Sequence, residues 1–134
     1  MAAELAKSIG YNIETGKTES YSSSATHSLV TTKGVLIHLN PESLNLVYEL
    51  MAQLSERFVL IAEYFSPSPT EVSYRGHSER LFKRDFASEF MACNSDFEVR
   101  TIGFLSSLGP FPQDNTNWYL LEKIGEANHH GTKK

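Results

Sequence analysis

Cysteine is nearly absent from this sequence: Cys93 stands alone among 134 residues. No intramolecular disulfide is possible, and no second thiol completes a redox or zinc pair with it. That usage fits a reducing compartment. No apolar run approaches the roughly 20 residues that a membrane span requires. Residues 1–10 lack the basic start and long apolar centre of a secretion signal, so a cytoplasmic protein is expected. Neither sign of charge is in large excess. Twelve Lys and Arg against 16 Asp and Glu leave a formal charge of -4, which gives no electrostatic reason to expect nucleic acid or an anionic membrane as partner. Other absences exclude particular chemistries. There is no Gly-Lys-Ser/Thr phosphate loop, no His, Cys and carboxylate spacing that suits zinc, and no nucleophile elbow around Ser22 to Ser24. Internal repeats are missing too.

What is present suits one α/β domain. The length allows a single ordinary core, and 40% apolar with 21% charged residues is a globular composition. Residues 2–9 have short helical character ended by Gly10, and residues 11–15 alternate as a short strand would. A Ser- and Thr-rich loop follows at 18–28. Residues 29–39 have strand character interrupted by "TTKG" at 31–34. Asn40 is a good helix N-cap, followed by Pro41 and Glu42. Leu44, Val47, Met51 and Leu54, spaced by three and four, then predict a helix. "FVLIAEYF" at 58–65 is apolar without alternation, as in a strand covered on both faces. A second helix is expected over 78–93. Strands are expected at 97–105 and 118–124, joined by a long Gly- and Pro-containing loop. The domain is expected to fill residues 1–124, and the polar stretch 125–134 to be a disordered tail. This element order favours a layered α/β fold.

The segment "SPSPTEVSYRGHSERLFKRDF" at 66–86 concentrates hydrogen-bonding side chains just past the most apolar strand. In open α/β sheets, ligands bind beyond the carboxyl ends of the strands. Glu63 and Tyr64 close that strand. Glu63 either accepts from loop amides, pairs with an arginine or holds a polar ligand; a bare carboxylate there would be costly. Tyr74, Arg75 and His77 offer a flat hydroxyl-bearing ring, a planar fork for a carboxylate and a donor-acceptor pair. They either line a pocket or belong to a loop braced by ion pairs such as Arg75 or Arg84 with Glu63 or Asp85. Lys33 and His38 are candidates for the opposite wall, or else a solvated lysine and a structural histidine.

Four stretches, "TKGVLIHLNPESL", "RFVLIAEYFSPSPTEVSYRGH", "RLFKRDFASEF" and "FPQDNTNWYLLEK", together resemble the methylase family associated with pseudaminic acid biosynthesis. That family belongs to the class I S-adenosylmethionine-dependent methyltransferases. The similarity runs from about residue 2 to 123 and is densest over 32–85. It implies a Rossmann-like sheet of strand order 3-2-1-4-5-7-6 with an antiparallel carboxy-terminal strand pair. On that template residues 11–15 resemble the third strand, 29–32 the fourth, 58–65 the fifth, 97–105 the sixth and 118–124 the seventh. The first two strands, with the glycine-rich cofactor loop, have no counterpart in this sequence. Ser20 and Ser28 stand where the family carries acidic residues.

The resemblance therefore implies a truncated methyltransferase-like domain. The leading expectation is a remnant or repurposed protein that keeps a polar substrate pocket, is not catalytic alone and needs no cofactor. The pocket would be bordered by Lys33, His38, Glu63, Tyr64, Tyr74, Arg75 and His77, and an acidic sugar of the nonulosonate class fits that inventory. One alternative is an S-adenosylmethionine-dependent methyltransferase of a sugar or nonulosonate, completed by a partner. Another is an oligomeric interaction module without a ligand. A homodimer is expected, because loss of the first strand would leave the fourth with a bare edge.

Overall fold

The computed structural model describes residues 4, 7–10, 14, 16–74, 77–110 and 114–125, with side chains except at 19, 74 and 77–80. The expected strand at 11–15, most of the first helix and nearly all of the tail lie outside them. Six strands are described: β1 His27–Lys33, β2 Ser55–Glu63, β3 Thr70–Tyr74, β4 His77–Lys83, β5 Phe97–Leu105 and β6 Thr116–Lys123. Two α-helices, α1 Leu44–Leu54 and α2 Phe86–Cys93, accompany them. The main sheet runs β1-β2-β6-β5, and β3 with β4 forms a separate hairpin. Strand β1 pairs parallel with β2, while β6 is antiparallel to both β2 and β5. This is the 4-5-7-6 half of the expected order.

Local chemistry explains most boundaries. Asn40 accepts from the Glu42 amide and Pro41 follows, but they open a 3-10 turn, Pro41–Ser43, from which α1 continues. "TTK" does not interrupt β1; it completes it, and Gly34 at φ 62 turns the chain out of the sheet. The largest correction lies at 78–83, expected to be helical and found in strand β4. Val72 and Leu81 meet across the hairpin, and Leu81 is buried in the core. Asp85 accounts for the boundary. Its carboxylate accepts from the Ser88 amide at 3.1 Å and the Ser88 hydroxyl at 2.7 Å, so α2 begins at Phe86.

Alternation sends Val59, Ile61 and Leu121 to one face of the sheet, where they meet Val47, Tyr48 and Met51 of α1 and Phe86 and Phe90 of α2. Phe90 is the hub. Its ring makes edge contacts with Tyr48 at 6.0 Å and Phe97 at 5.1 Å between centroids. Lys123 reaches the carbonyls of Ala52 and Ser55 at 3.3 and 2.9 Å, capping the end of α1 with a cation.

On the opposite face Trp118 lies beside Gly103, its register partner in β5. A Cβ at Gly103 would overlap the Trp118 indole, so only glycine lets the ring lie flat there. Gly103→Ala should lower unfolding free energy by about 1 to 3 kcal/mol through overpacking. Urea denaturation checks this, and an unchanged midpoint would mean that the ring swings aside freely.

Candidate functional site

Where β1 and β2 end side by side, their connections build a polar cavity. Gly34 leaves β1 while its amide still donates to the Ala62 carbonyl at 3.0 Å. The left-handed turn then aims the next two amides at Glu63. Glu63 Oε1 accepts from Val35 at 3.0 Å and from Leu36 at 3.1 Å. The residue is 3% exposed. Of the open readings for this carboxylate, acceptance from loop amides is the one observed.

Its other oxygen, Oε2, is buried without a hydrogen-bond partner, as is the nearby Thr32 hydroxyl. Burial raises the Glu63 pKa above the ordinary glutamate range. The amides of Val35, Leu36 and Ile37 and the Thr32 hydroxyl oppose that rise without cancelling it. The Thr32 influence acts by proximity, since neither Thr32 Oγ1 nor Glu63 Oε2 reaches good hydrogen-bond geometry. A buried carboxyl with one saturated and one unsaturated oxygen is primed to hold a proton or meet a donor.

The cavity itself measures about 250 Å³ and is lined by Lys33, Gly34, Ala62, Glu63, Tyr64, Asp114 and Thr116. The Tyr64 hydroxyl donates to the Asp114 carboxylate, and the Thr116 hydroxyl donates to the Asp114 carbonyl at 2.9 Å. Lys83 Nζ lies 5.5 Å from the centre of the Tyr64 ring, near enough for a cation–π contact. The wall thus combines a cation, a carboxylate tied to a phenol and a buried carboxyl.

Of the seven candidate residues, Lys33, Glu63 and Tyr64 line this one cavity. His38 ends the turn Leu36–His38 and is exposed; it is not among the described lining residues. Tyr74 and His77 face each other in register at the hairpin tip, but their side chains are outside the description. Arg75 falls outside the described residues altogether. Hairpin strand β4 packs against the turn Leu36–His38, next to the loop that Glu63 holds. Arg84 takes Glu89 as its partner at 2.7 Å, in place of the expected Glu63 or Asp85. Asp114 and Thr116 were not singled out from the sequence. They sit in "FPQDNTNWYLLEK", and only the tertiary placement of the start of β6, with Asp114 just before it and Thr116 opening it, brings them into one cavity with Lys33.

A second, larger cavity of about 590 Å³ lies along β1 and the flank of α1, with Val30, Thr32, Val47 and Met51 on one wall and Ser20 and Tyr21 on another. Ser20, the position where the resemblance expects an acidic residue, brings a hydroxyl and no charge. Among the described residues no three His, Cys, Asp or Glu side chains gather as a metal site. No described helix is long and apolar enough to cross a membrane.

No family model matches the chain, and no curated protein matches it. Solved structures do. The magnesium protoporphyrin IX methyltransferase of Synechocystis PCC 6803, with bound S-adenosylmethionine, superposes at TM-score 0.60 with 12% identity, over 90% of this chain and 51% of that one. The 1,6-didemethyltoxoflavin-N1-methyltransferase of Burkholderia thailandensis, with its substrate and S-adenosylhomocysteine, gives TM-score 0.66 and 17% identity over 92% and 56%. A methyltransferase of Methanosarcina mazei gives 0.60 and 11% over 93% and 78%. The fold is therefore the Rossmann-like α/β fold of S-adenosylmethionine-dependent methyltransferases. The chain spans about half the length of the first two of these proteins.

Proposed function

We propose that this chain is a methyltransferase-like domain that holds an acidic, hydroxyl-rich ligand at the carboxyl end of its sheet and does not transfer methyl groups on its own. The observation that carries the reading is the cavity of about 250 Å³ in which Lys33, Glu63, Tyr64 and Asp114 converge. Lys33 supplies a cation for a carboxylate, and Arg75 a planar fork if the hairpin tip joins the site. Asp114 accepts from hydroxyls or amides, while Glu63 holds the loop that forms the cavity wall. A nonulosonic acid presents one carboxylate and many hydroxyls, in keeping with the resemblance to the pseudaminic acid-associated methylases.

Only weak binding of S-adenosylmethionine is expected, because Ser20 and Ser28 stand where the resemblance places acidic residues and the glycine-rich loop has no counterpart in this sequence. Titration calorimetry of the chain with S-adenosylmethionine and, separately, with a nonulosonic acid tests both halves. The expected result is heat with the sugar alone. Lys33→Ala should weaken the sugar by roughly 10- to 100-fold, the size of one charge-assisted hydrogen bond. Micromolar binding of S-adenosylmethionine, or a sugar affinity indifferent to Lys33, would overturn the proposal.

A second reading has its own support: the solved relatives in fold hold S-adenosylmethionine or S-adenosylhomocysteine and are about twice as long. On that reading a partner supplies the cofactor half, and cofactor heat arises only after the partner is added.

A further inference from the structure

We infer that the helix-free face of the main sheet is the contact surface of a symmetric dimer, packed sheet against sheet on a second copy of this chain. The inference goes beyond the ligand pocket and does not depend on it. Its starting point is a conflict between sequence and cover. Strands β2 and β6 are both apolar without alternation, so each sends large side chains to both faces. Val59, Ile61 and Leu121 take the covered face. Register places Phe58, Leu60, Trp118 and Leu120 together on the other, with Leu29 of β1 opposite Phe58.

Helices α1 and α2, the turn Leu36–His38 and Leu81 of the hairpin contribute buried apolar residues to the core on the first face, and none of these elements contributes a residue to the second. Leu29 is 46% exposed, and Phe58, Leu60, Trp118 and Leu120 are half-buried. A contiguous apolar patch of this kind marks an interaction surface. A non-alternating central strand belongs in a sheet with both faces covered.

Size and charge select the occupant. Four strands about 4.8 Å apart and six or seven residues long at about 3.3 Å each present a footprint of roughly 400 Å². Allowing for the relief of the side chains, two such faces bury on the order of 1,000 to 1,200 Å², the lower bound of a specific interface. A flat sheet face of that shape is matched by another sheet face, as in aligned β-sandwich packing.

The rim carries both signs at both ends. Lys33 and Asp114 stand at one end. At the other, Glu122 is shared by Arg57 at 3.1 Å and Arg100 at 3.2 Å, with Glu98 opposite Glu122 in register. A balanced rim does not repel its own copy in either antiparallel or parallel orientation, whereas a single-sign rim would call for a partner of opposite charge. The outer edge of β1, which pairs with no other described strand, is a separate surface, and an edge-paired dimer leaves this face open.

Trp118 is the sole tryptophan and sits on the patch, so it reports directly. Light scattering at rising micromolar concentration is expected to show twice the 15.0 kDa of one chain. Dilution to monomer should shift Trp118 emission to the red and open it to acrylamide quenching. Leu60→Glu should weaken dimerisation at least 100-fold while circular dichroism stays that of the folded chain. If that variant unfolds, Leu120→Gln serves in its place. A 15.0 kDa species at every concentration overturns the inference. So does a dimer that leaves Trp118 fully quenchable or survives both substitutions, which assigns the contact to another surface such as the β1 edge. Trp118 already shielded in a monomer also overturns it, since the chain's own residues would then cover the face.

Discussion

Glu63→Ala is expected to lower unfolding free energy by about 1 to 4 kcal/mol, because it orphans one buried amide at about 1 to 3 kcal/mol and one part-buried amide at less. Val35 and Leu36 lose their acceptor, the Leu36 amide in a buried site and the Val35 amide in a part-buried one. Glu63→Gln keeps one acceptor oxygen and should stay within about 1 kcal/mol of the native chain at neutral pH. The pair of variants separates the hydrogen bonds from the charge.

The charge then shows itself through pH. Burial raises the pKa of Glu63 in the folded chain, so between the ordinary glutamate range and that raised value the folded state holds a proton the unfolded state has lost. Stability from this group is complete in acid, falls as pH rises through that window, and is level above it. The unfolding free energy of the native chain minus that of Glu63→Gln should therefore fall with rising pH. Urea denaturation of both proteins over a pH series measures it. A difference that grows with pH would mean that the amides outweigh burial and that Glu63 is stabilised as an anion. The loop at stake, 34–38, carries Gly34 of the cavity wall and adjoins Lys33, so Glu63→Ala should also blunt any ligand binding there.

Phe90→Ala should produce the other large effect, a loss of about 3 to 5 kcal/mol. Phe90 is fully buried and joins α1, α2 and β5 through its contacts with Tyr48 and Phe97. Removing the ring leaves a hole bounded by three elements that cannot all close on it. The neighbouring Tyr48 hydroxyl donates to Glu89 at 2.9 Å, and Glu89 also receives Arg84, so α2 is held to α1 and to the hairpin by polar contacts that resist collapse. Cys93, exposed on the same helix, is the control: Cys93→Ser should change stability by no more than about 0.5 kcal/mol. Chemical denaturation reads both. A Phe90→Ala loss below about 1 kcal/mol would show that the site repacks readily.

Local pattern was enough for some elements and misleading for one. The three-and-four spacing of Leu44, Val47, Met51 and Leu54 is a property of the chain itself, and α1 covers it. The strand expected at 97–105 is β5, Phe97–Leu105. The misreading of 78–83 has a local cause. Phe82, Phe86 and Phe90 follow one another at intervals of four, so one periodicity ran through two elements. What divides them is a cross-strand contact between Val72 and Leu81 and a cap at Asp85, and only the cap was open to inspection in the sequence.

By itself the sequence determined the α/β class, the order of α1, α2 and the four strands of the main sheet in outline, and the apolar demand of β2 for cover on two sides; the hairpin of β3 and β4 it did not give. Each rests on neighbours within a few residues, where periodicity and capping act. The tertiary structure alone decided which distant groups meet. Val35 reaches Glu63 across 28 residues and Tyr64 reaches Asp114 across 50, because parallel pairing of β1 with β2 and antiparallel return of β6 bring three chain ends to one corner. It also decided that the helices share one face of the sheet, leaving Phe58, Leu60, Trp118 and Leu120 on the other. Strand alternation in the sequence gives two faces for every strand; only the packing of α1 and α2 says which of them is buried.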